Sequence, residues 1–277
     1  MEVSFKRSQK QDPLCKAANK YGAWLMPVSA TLAVLAWWLI SRWSELPSFI
    51  LPTPVVVVRR FIQSITSGSL IWHASYTLLE VGLGLTAGVV LATIIGYLLA
   101  KSPTLERILS PYLVATQALP IVAIAPLLVI WFGPGLFSKV LISGLTVFFP
   151  VLVNTVVGIR AVPQDLRDLM ISLRATRTQT LRYLEVPAAL PVFLGGLRVG
   201  ATLSVIGAVV GEFVAADRGL GFLINVGRGQ YDTALVFVGV FTLVVMALLL
   251  YGSVILLEHR LLRWQHQPHK QTLTVEL

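Results

Sequence analysis

The run Thr233-Ala-Leu-Val-Phe-Val-Gly-Val-Phe-Thr-Leu-Val-Val-Met-Ala-Leu-Leu-Leu-Tyr-Gly-Ser-Val-Ile-Leu-Leu257 contains no charged side chain. About 20 mostly apolar residues are needed for a helix to cross the hydrocarbon core of a bilayer. The run is long enough, so it predicts a membrane-spanning helix. Of the 277 residues, 56% are hydrophobic and only 13% are charged, about half the charged share of soluble chains. This composition excludes an ordinary soluble enzyme and indicates an all-α, polytopic membrane protein.

Five further apolar segments predict membrane helices, which gives six spans in total. The expected spans are residues 21–41, the stretch between residues 80 and 101, residues 108–138, the stretch between residues 139 and 160, residues 186–214 and residues 233–257. The first is too long for a signal-peptide core and has no small-residue cleavage site behind it, so we interpret it as a retained helix. The expected parts of the chain are a basic tail (1–20), a first transmembrane helix (21–43), a loop with a short helix (44–73), a core transmembrane domain (74–257) and a second tail (258–277).

Lysine and arginine are divided unevenly between the two sides of these spans. Fifteen lie in tails and loops on the side of the N-terminus, and six lie on the other side. Short cytoplasmic loops carry the excess of basic residues, so both termini and the loop 160–185 are expected in the cytoplasm. Residues 45–73 and 215–232 are expected outside. Topology therefore accounts for the formal net charge of +9, and no nucleic-acid partner is expected.

The loop 160–185 predicts two short helices outside the membrane. Pro163 suits the first turn of a helix and Asp165 its positive end. Four apolar residues then repeat at i, i+3, i+4 and i+7: Leu166, Leu169, Met170 and Leu173. Residues 174–178 are polar and predict a turn, and residues 181–184 predict a second short helix that ends before Pro187. Such a hairpin either lies on the membrane surface or docks a cytoplasmic partner.

Sequence features of an enzyme are absent. No G-x-x-x-x-G-K-[ST] phosphate loop occurs, so any ATP must be bound and hydrolysed by another subunit. No nucleophile has a convincing base partner. Cys15 is the only cysteine and permits no intrachain disulfide or Cys-based metal site, and His266 and His269 lack a third metal ligand. Glycine pairs four residues apart predict close helix packing instead: Gly84/Gly88, Gly196/Gly200 and Gly207/Gly211.

Several residues at membrane depth are candidates for a solute path. Residues 108–138 contain Pro111, Pro120, Pro126 and Pro134, which bend or interrupt a helix. An interrupted membrane helix needs protein or a water-filled cavity around its freed carbonyls, so this span is a candidate path wall, with plain kinking as the alternative. Charged residues at this depth are usually functional: Glu80, Arg198 and Glu212. The two glutamates lie near helix ends, where reaching toward the interface is the alternative.

Aromatic residues near the ends of the spans allow two interpretations. Trp131, Phe132, Phe148 and Phe149 can stack on a planar ring such as a pyrimidine or a flavin. They can equally anchor helices at the membrane interface.

The hairpin carries a recognisable motif. Asp168-Leu-Met170, Arg174-Ala-Thr176 and Leu184-Glu-Val-Pro187 have the spacing of E-A-A-x-x-x-G-x(9)-I-x-L-P. This pattern resembles the "EAA" loop of bacterial ATP-binding-cassette (ABC) importer permeases. Asp168 replaces the glutamate, and Arg174 replaces the turn glycine, which would be strained if the turn needs a positive φ.

The resemblance extends over residues 46–257. The stretches that carry it are Pro126-Leu-Leu-Val-Ile-Trp-Phe-Gly133, Ser138-Lys139, Phe148-Phe-Pro150, Asn154, Pro187-Ala-Ala-Leu-Pro191, Gly196-Leu-Arg198 and Arg218-Gly-Leu-Gly221. They are similar to the branch that imports sulfonates, taurine, nitrate, pyrimidine thiamine precursors and riboflavin.

The resemblance implies a type I importer permease with no catalytic site and no cofactor of its own, in the bacterial inner membrane. ATP and Mg would be bound by cytoplasmic ATPase subunits. These subunits would dock on the hairpin, called the coupling loop in this family, at Asp165, Asp168, Leu169, Leu173, Arg174, Ala175 and Pro187. An external solute-binding protein, a second permease copy and membrane lipid are the other implied partners. The residues predicted to line the path or gate are Arg198, Glu212, Pro120, Pro126, Trp131, Phe148 and Phe149.

The substrate is less constrained by the sequence. The aromatic residues favour a vitamin-type heteroaromatic solute, riboflavin or a pyrimidine thiamine precursor, because no cage of several arginines is present for an anion. The same machinery for sulfonate, taurine or nitrate is the first alternative. A secondary transporter coupled to protons through Glu80 or Glu212 is the second, although such a transporter has no need of the hairpin.

Overall fold

The computed structural model describes residues 13–43 and 47–263, with side chains from residue 27 onward. These residues form helices joined by short connections and contain no β-strand, which confirms the all-α class. The helices are α1 (Pro13–Trp43), α2 (Pro54–Thr66), α3 (Ser69–Lys101), α4 (Pro103–Ala118), α5 (Ile121–Phe132), α6 (Leu136–Arg160), α7 (Gln164–Ser172), α8 (Arg177–Thr180), α9 (Val186–Ala215), α10 (Leu220–Gly229) and α11 (Thr233–Leu261). The side chains of Cys15, His266 and His269 lie outside the described residues.

Four continuous helices in the described part of the chain are long and apolar enough to cross a membrane. They are α3, α6, α11 and the helix Arg177–Ala215, which joins α8, a π-helical turn (Leu181–Glu185) and α9. These helices correspond to the second, fourth, sixth and fifth expected spans. The first expected span, residues 21–41, falls within α1.

The third expected span is a bent pair of helices rather than one straight helix. α4 and α5 meet at 97°, and the break falls at Leu119 and Pro120, both of which have extended backbone angles. A proline ring disfavours the helical conformation of the residue before it, so Pro120 forces Leu119 out of the helix. Pro111 and Pro126 lie inside α4 and α5 without ending them.

The second helix of the hairpin also differs from the expectation that it ends before Pro187. It continues without interruption into α9, and Pro187 occupies the first turn of α9. The π-helical turn immediately before Pro187 has a wider hydrogen-bond register. This turn accommodates Pro187, which has no N–H to donate.

In the core of the bundle, α6 packs between α3 and α9. Small residues allow these helices to approach each other closely. A Cβ added to Gly88 of α3 would lie 2.6 Å from the Gly144 carbonyl oxygen of α6. A Cβ added to Gly207 of α9 would lie 2.7 Å from Ser143 Cα. The Ser143 hydroxyl also donates to the Ser204 carbonyl oxygen at 2.9 Å. The predicted role of these glycines in close helix packing is therefore confirmed.

The bundle has two distinct ends. We call the end that carries α7 and α8 the hairpin end, and the end that carries α10 the α10 end. α2, expected as a short helix within residues 44–73, packs at the α10 end, where Arg60 forms a 2.8 Å ion pair with Asp232. The helix α10 was not predicted from the sequence.

Candidate functional site

The turn between α7 and α8 has a defined hydrogen-bonded geometry. Arg174 adopts a left-handed conformation with φ of 51°, which is the strained geometry expected if this position of the motif requires a glycine-like turn. The Ala175 amide donates to the Met170 carbonyl at 2.9 Å. Thr176 then caps α8, because its hydroxyl accepts from the Gln179 amide at 3.3 Å and its own amide donates to the Gln179 side chain at 2.7 Å. The turn therefore fixes the angle between the two short helices.

The hairpin presents apolar side chains that its own chain does not cover. The leucines of the predicted stripe are all exposed, Leu166 by 43%, Leu169 by 52% and Leu173 by 68%. Within the described residues, α7 buries none of its side chains. Asp165 and Asp168 are exposed beside this stripe, whereas Ala175 and Pro187 are half-buried.

Ion pairs anchor the base of the hairpin to the bundle. Lys101, at the end of α3, pairs with Glu185 of the π-helical turn. Arg160, at the end of α6, donates two hydrogen bonds to Glu106 of α4, at 2.7 and 2.5 Å. These pairs were not found in the sequence, because their members are far apart along the chain.

A buried charge cluster occupies the α10 end. Lys139 was expected in an external loop, but it lies in the first turn of α6 and is only 3% exposed. Its Nζ lies 3.3 Å from Glu80 Oε1 of α3. Glu80 and Glu212 are each 1% exposed. Neither side chain therefore extends toward the membrane interface, which was the alternative interpretation. Glu80 Oε2 has no hydrogen-bond partner among the described residues.

Glu212 binds the N-terminus of α10. Its carboxylate accepts a hydrogen bond from the Gly221 amide at 2.5 Å and from the Thr77 hydroxyl at 2.6 Å. Thr77 in turn accepts from the Leu220 amide at 2.8 Å, and His73 Nδ1 accepts from the Gly219 amide at 3.1 Å. The sequence signal for this arrangement was the motif Arg218-Gly-Leu-Gly221, although its function could not be deduced from spacing.

A cavity of about 670 Å³ lies beside the cluster. Its lining includes the cluster residues Glu80 and Lys139 together with Tyr76, Asp217 and Arg218. The Arg218 guanidinium stacks over the Tyr76 ring at 4.8 Å. It also donates to both carboxylate oxygens of Asp217, at 3.0 and 2.8 Å, and holds the pKa of Asp217 below its usual value. The lining of the cavity therefore combines charged side chains with an aromatic ring.

The residues predicted to line a path or gate are not brought together in one place. Arg198 pairs with Glu258 of α11, and Glu212 lies fourteen residues further along α9, or about 21 Å along a helix. Phe148 and Phe149 form an edge-to-face pair with ring centroids 5.2 Å apart. Trp131 is 67% exposed. Pro120 lies at the break between α4 and α5, and Pro126 lies inside α5. Their role in a path stays a prediction.

A bundle of apolar helices, with an exposed hairpin at one end and buried charges at the other, is typical of a polytopic membrane protein. Residues 84–263, more than half of the chain, match the family described as "Binding-protein-dependent transport system inner membrane component". The chain belongs to this family, which confirms the resemblance seen in the sequence. It is a multi-pass inner-membrane permease of the ABC importer class, a transport subunit rather than an enzyme, and the family implies ATPase and solute-binding-protein partners.

Individual relatives in this family are named for different solutes. The chain is 48% identical to "Riboflavin transport system permease protein RibX" of Chloroflexus aurantiacus, over 87% of this chain and 90% of the relative. It is 35% identical to "Formylaminopyrimidine transport permease protein ThiX" of Halalkalibacterium halodurans, over 87% and 96%. It is also 32% identical to "Taurine transport system permease protein TauC" of Escherichia coli, over 87% and 93%.

Proposed function

We propose that the chain moves a vitamin-type heteroaromatic solute into the cell and that partner ATPase subunits drive it by docking on the hairpin. The observation that carries this proposal is the exposed stripe of Leu166, Leu169 and Leu173, spaced i, i+3 and i+7 along α7 and its C-terminal cap, on a helix that buries none of its own side chains. Docking of a partner on apolar surface outside the membrane is favoured by about 25 cal/mol of free energy for each Å² removed from water. Asp165, Asp168, Arg174 and Ala175 border the stripe and would set the register of the docked subunit.

The proposed orientation puts the hairpin end in the cytoplasm and the α10 end outside. The fifteen-to-six division of basic residues supports it. Single cysteines at Ser67 and Gln230, in a Cys15→Ser background, are then labelled by an impermeant reagent on intact cells. A cysteine at Thr178 is labelled only after the cells are opened. Labelling at Thr178 on intact cells would reverse the orientation.

The assembly proposed around the chain contains a second permease copy. The core domain, residues 74–257, would form the shared path with that copy, while lipid covers the remaining apolar faces. An external solute-binding protein would deliver the solute at the α10 end. Arg198, Glu212, Pro120, Pro126, Trp131, Phe148 and Phe149 are the residues proposed for the path or its gate.

Two relatives support a heteroaromatic solute, because their names refer to riboflavin and to formylaminopyrimidine. The relative named for taurine is less similar to this chain, at 32% identity. Uptake of labelled riboflavin and of labelled taurine by cells that express the complete transporter distinguishes the two classes. Uptake of taurine alone would assign the sulfonate class instead.

Docking on the hairpin is tested by co-purification of the ATPase subunits. Leu169→Glu puts a charge into the apolar stripe and should abolish co-purification, and charge reversal by Asp168→Lys should weaken it. Ile65→Glu is the matched control, because Ile65 is an exposed apolar residue of α2 at the opposite end. Equal recovery of ATPase with Leu169→Glu and Ile65→Glu would contradict the docking site. Uptake without ATPase subunits that follows the proton gradient would favour a secondary transporter.

A further inference from the structure

One continuous helix connects the hairpin to the opposite end of the bundle. The helix Arg177–Ala215 contains 39 residues, or about 58 Å of length at about 1.5 Å per residue. It begins as the second helix of the hairpin, and Glu212 lies near its C-terminal end. A single helix therefore connects the hairpin to the α10 end.

At that end, Glu212 holds the beginning of α10. The first amides of a helix have no partner within the helix and carry partial positive charge. In α10, the Gly221 amide donates to the Glu212 carboxylate and the Leu220 amide donates to Thr77, which itself donates to Glu212. Since Glu212 is only 1% exposed, water does not compete for these hydrogen bonds.

Two glycines allow the backbone to approach the carboxylate this closely. A Cβ added to Gly221 would lie 2.8 Å from both Glu212 Cβ and Glu212 Oε2. Gly219 has φ of 107°, and a Cβ there would collide with the carboxylate of Glu212. The segment Arg218-Gly-Leu-Gly221 is therefore shaped to fit one side chain of α9.

We propose that Glu212 is a positioning residue of the transport cycle: its carboxylate ties the N-terminus of α10 to α9, so that movement of the hairpin moves α10. The proposal rests on the docking of ATPase subunits on the hairpin proposed above. Residues 216–218 lie between α9 and α10 and line the cavity at the α10 end, so the same movement changes access to this cavity.

The test measures how fast a cysteine on α10 is labelled with and without nucleotide. Phe222, half-buried against the His73 ring at 5.6 Å, is replaced by cysteine in a Cys15→Ser background. The permease is co-purified with its ATPase subunits, reconstituted in proteoliposomes and exposed to an impermeant maleimide, with or without ATP and vanadate. We expect the nucleotide to change the labelling rate several-fold.

Three further substitutions in this background test the contact itself. Glu212→Ala removes the carboxylate, and Gly221→Ala adds a methyl group on α10 that pushes the carboxylate away. Both variants should make the labelling rate independent of nucleotide while ATP hydrolysis continues. Glu212→Gln keeps an acceptor for Gly221 and should restore the dependence. Gly229→Ala is the matched control at the other end of α10, where an added Cβ meets nothing within 4 Å.

The outcomes separate the two proposals. Labelling that still depends on nucleotide in both Glu212→Ala and Gly221→Ala would overturn the positioning role of Glu212. A labelling rate in the parent protein that is the same with and without nucleotide would overturn it too. Failure of the parent to co-purify any ATPase would overturn the docking proposal and this one with it. If Glu212→Ala does not accumulate in the membrane, Gly221→Ala compared with Gly229→Ala decides.

Discussion

Lys139 Nζ lies 3.3 Å from Glu80 Oε1, and the two side chains are only 4% and 2% exposed. Glu212 is buried nearby and interacts electrostatically with the same lysine. Taking away one partner of a buried ion pair leaves an uncompensated charge away from water. The lysine is therefore a structural requirement of the α10 end, whatever the solute.

We predict that Lys139→Met lowers the free energy of unfolding by about 3–5 kcal/mol, because the buried Glu80 loses the cation that it pairs with. Arg218→Met at the same end should cost much less, since the pair it forms with Asp217 is exposed. Thermal unfolding of the purified proteins in one detergent measures the difference. The double variant Glu80→Gln with Lys139→Met should recover part of the loss. Equal losses for the two single variants would contradict the prediction.

The burial of Lys139 could not be predicted from local sequence. The lysine follows the residues Gly133-Pro-Gly135 and begins an apolar stretch, a pattern that indicates a loop at the end of a span. Its burial depends on α3 and α9, which supply Glu80 and Glu212 from positions far away in the chain. Hydropathy identifies the apolar segments, but it does not specify which ends of the helices meet.

The glycines of α3 provide a matched pair for testing the helix packing. Gly88→Ala should destabilise the protein by about 1–3 kcal/mol, because the added Cβ would lie 2.6 Å from the Gly144 carbonyl oxygen. Gly82→Ala, on the same helix, meets nothing within 4 Å in the described part of the chain and should stabilise by up to about 1 kcal/mol through helix propensity. Unfolding in mixed detergent micelles measures both changes. Losses of similar size at the two positions would contradict the packing argument.

Arg174 supplies a prediction about the hairpin turn. A left-handed conformation costs a residue with a side chain about 1–2 kcal/mol, so Arg174→Gly should stabilise the turn by about that amount. Hydrogen exchange of the Ala175 amide, which donates to Met170, should slow in Arg174→Gly. In Ser172→Gly, at the helical end of α7, the added backbone freedom should make exchange faster. Faster exchange in Arg174→Gly would show that the arginine side chain stabilises the turn.

Local motifs and long-range contacts differ in how far the sequence revealed them. The first helix of the hairpin and the turn after it were predicted closely, because Asp165, the periodic leucines and the polar residues 174–178 act within a few residues of each other. The break at Pro120 follows from the restriction that proline places on Leu119, but its angle of 97° depends on packing. α10 was missed because it is short, glycine-rich and fixed at its start by side chains from α3 and α9.

The last prediction concerns Arg198, whose guanidinium pairs with Glu258 of α11. The side chains are 32% and 21% exposed, so the pair is intermediate between a surface pair and a buried one. Arg198→Leu should therefore cost between about 1 and 3 kcal/mol and lower the abundance of the permease in the membrane. Exchanging the charges, Arg198→Glu with Glu258→Arg, should restore abundance if the pair joins α9 to α11 structurally.

Transport by the exchanged variant then separates a structural pair from a gate. Restored abundance together with restored ATP-driven uptake supports a structural pair, because only the attraction between the two charges matters for it. Restored abundance without uptake supports a gate, in which the arginine must occupy its own position on α9. Arg198→Leu with unaltered abundance and unaltered uptake would contradict both roles and show that neighbouring groups compensate for the lost cation.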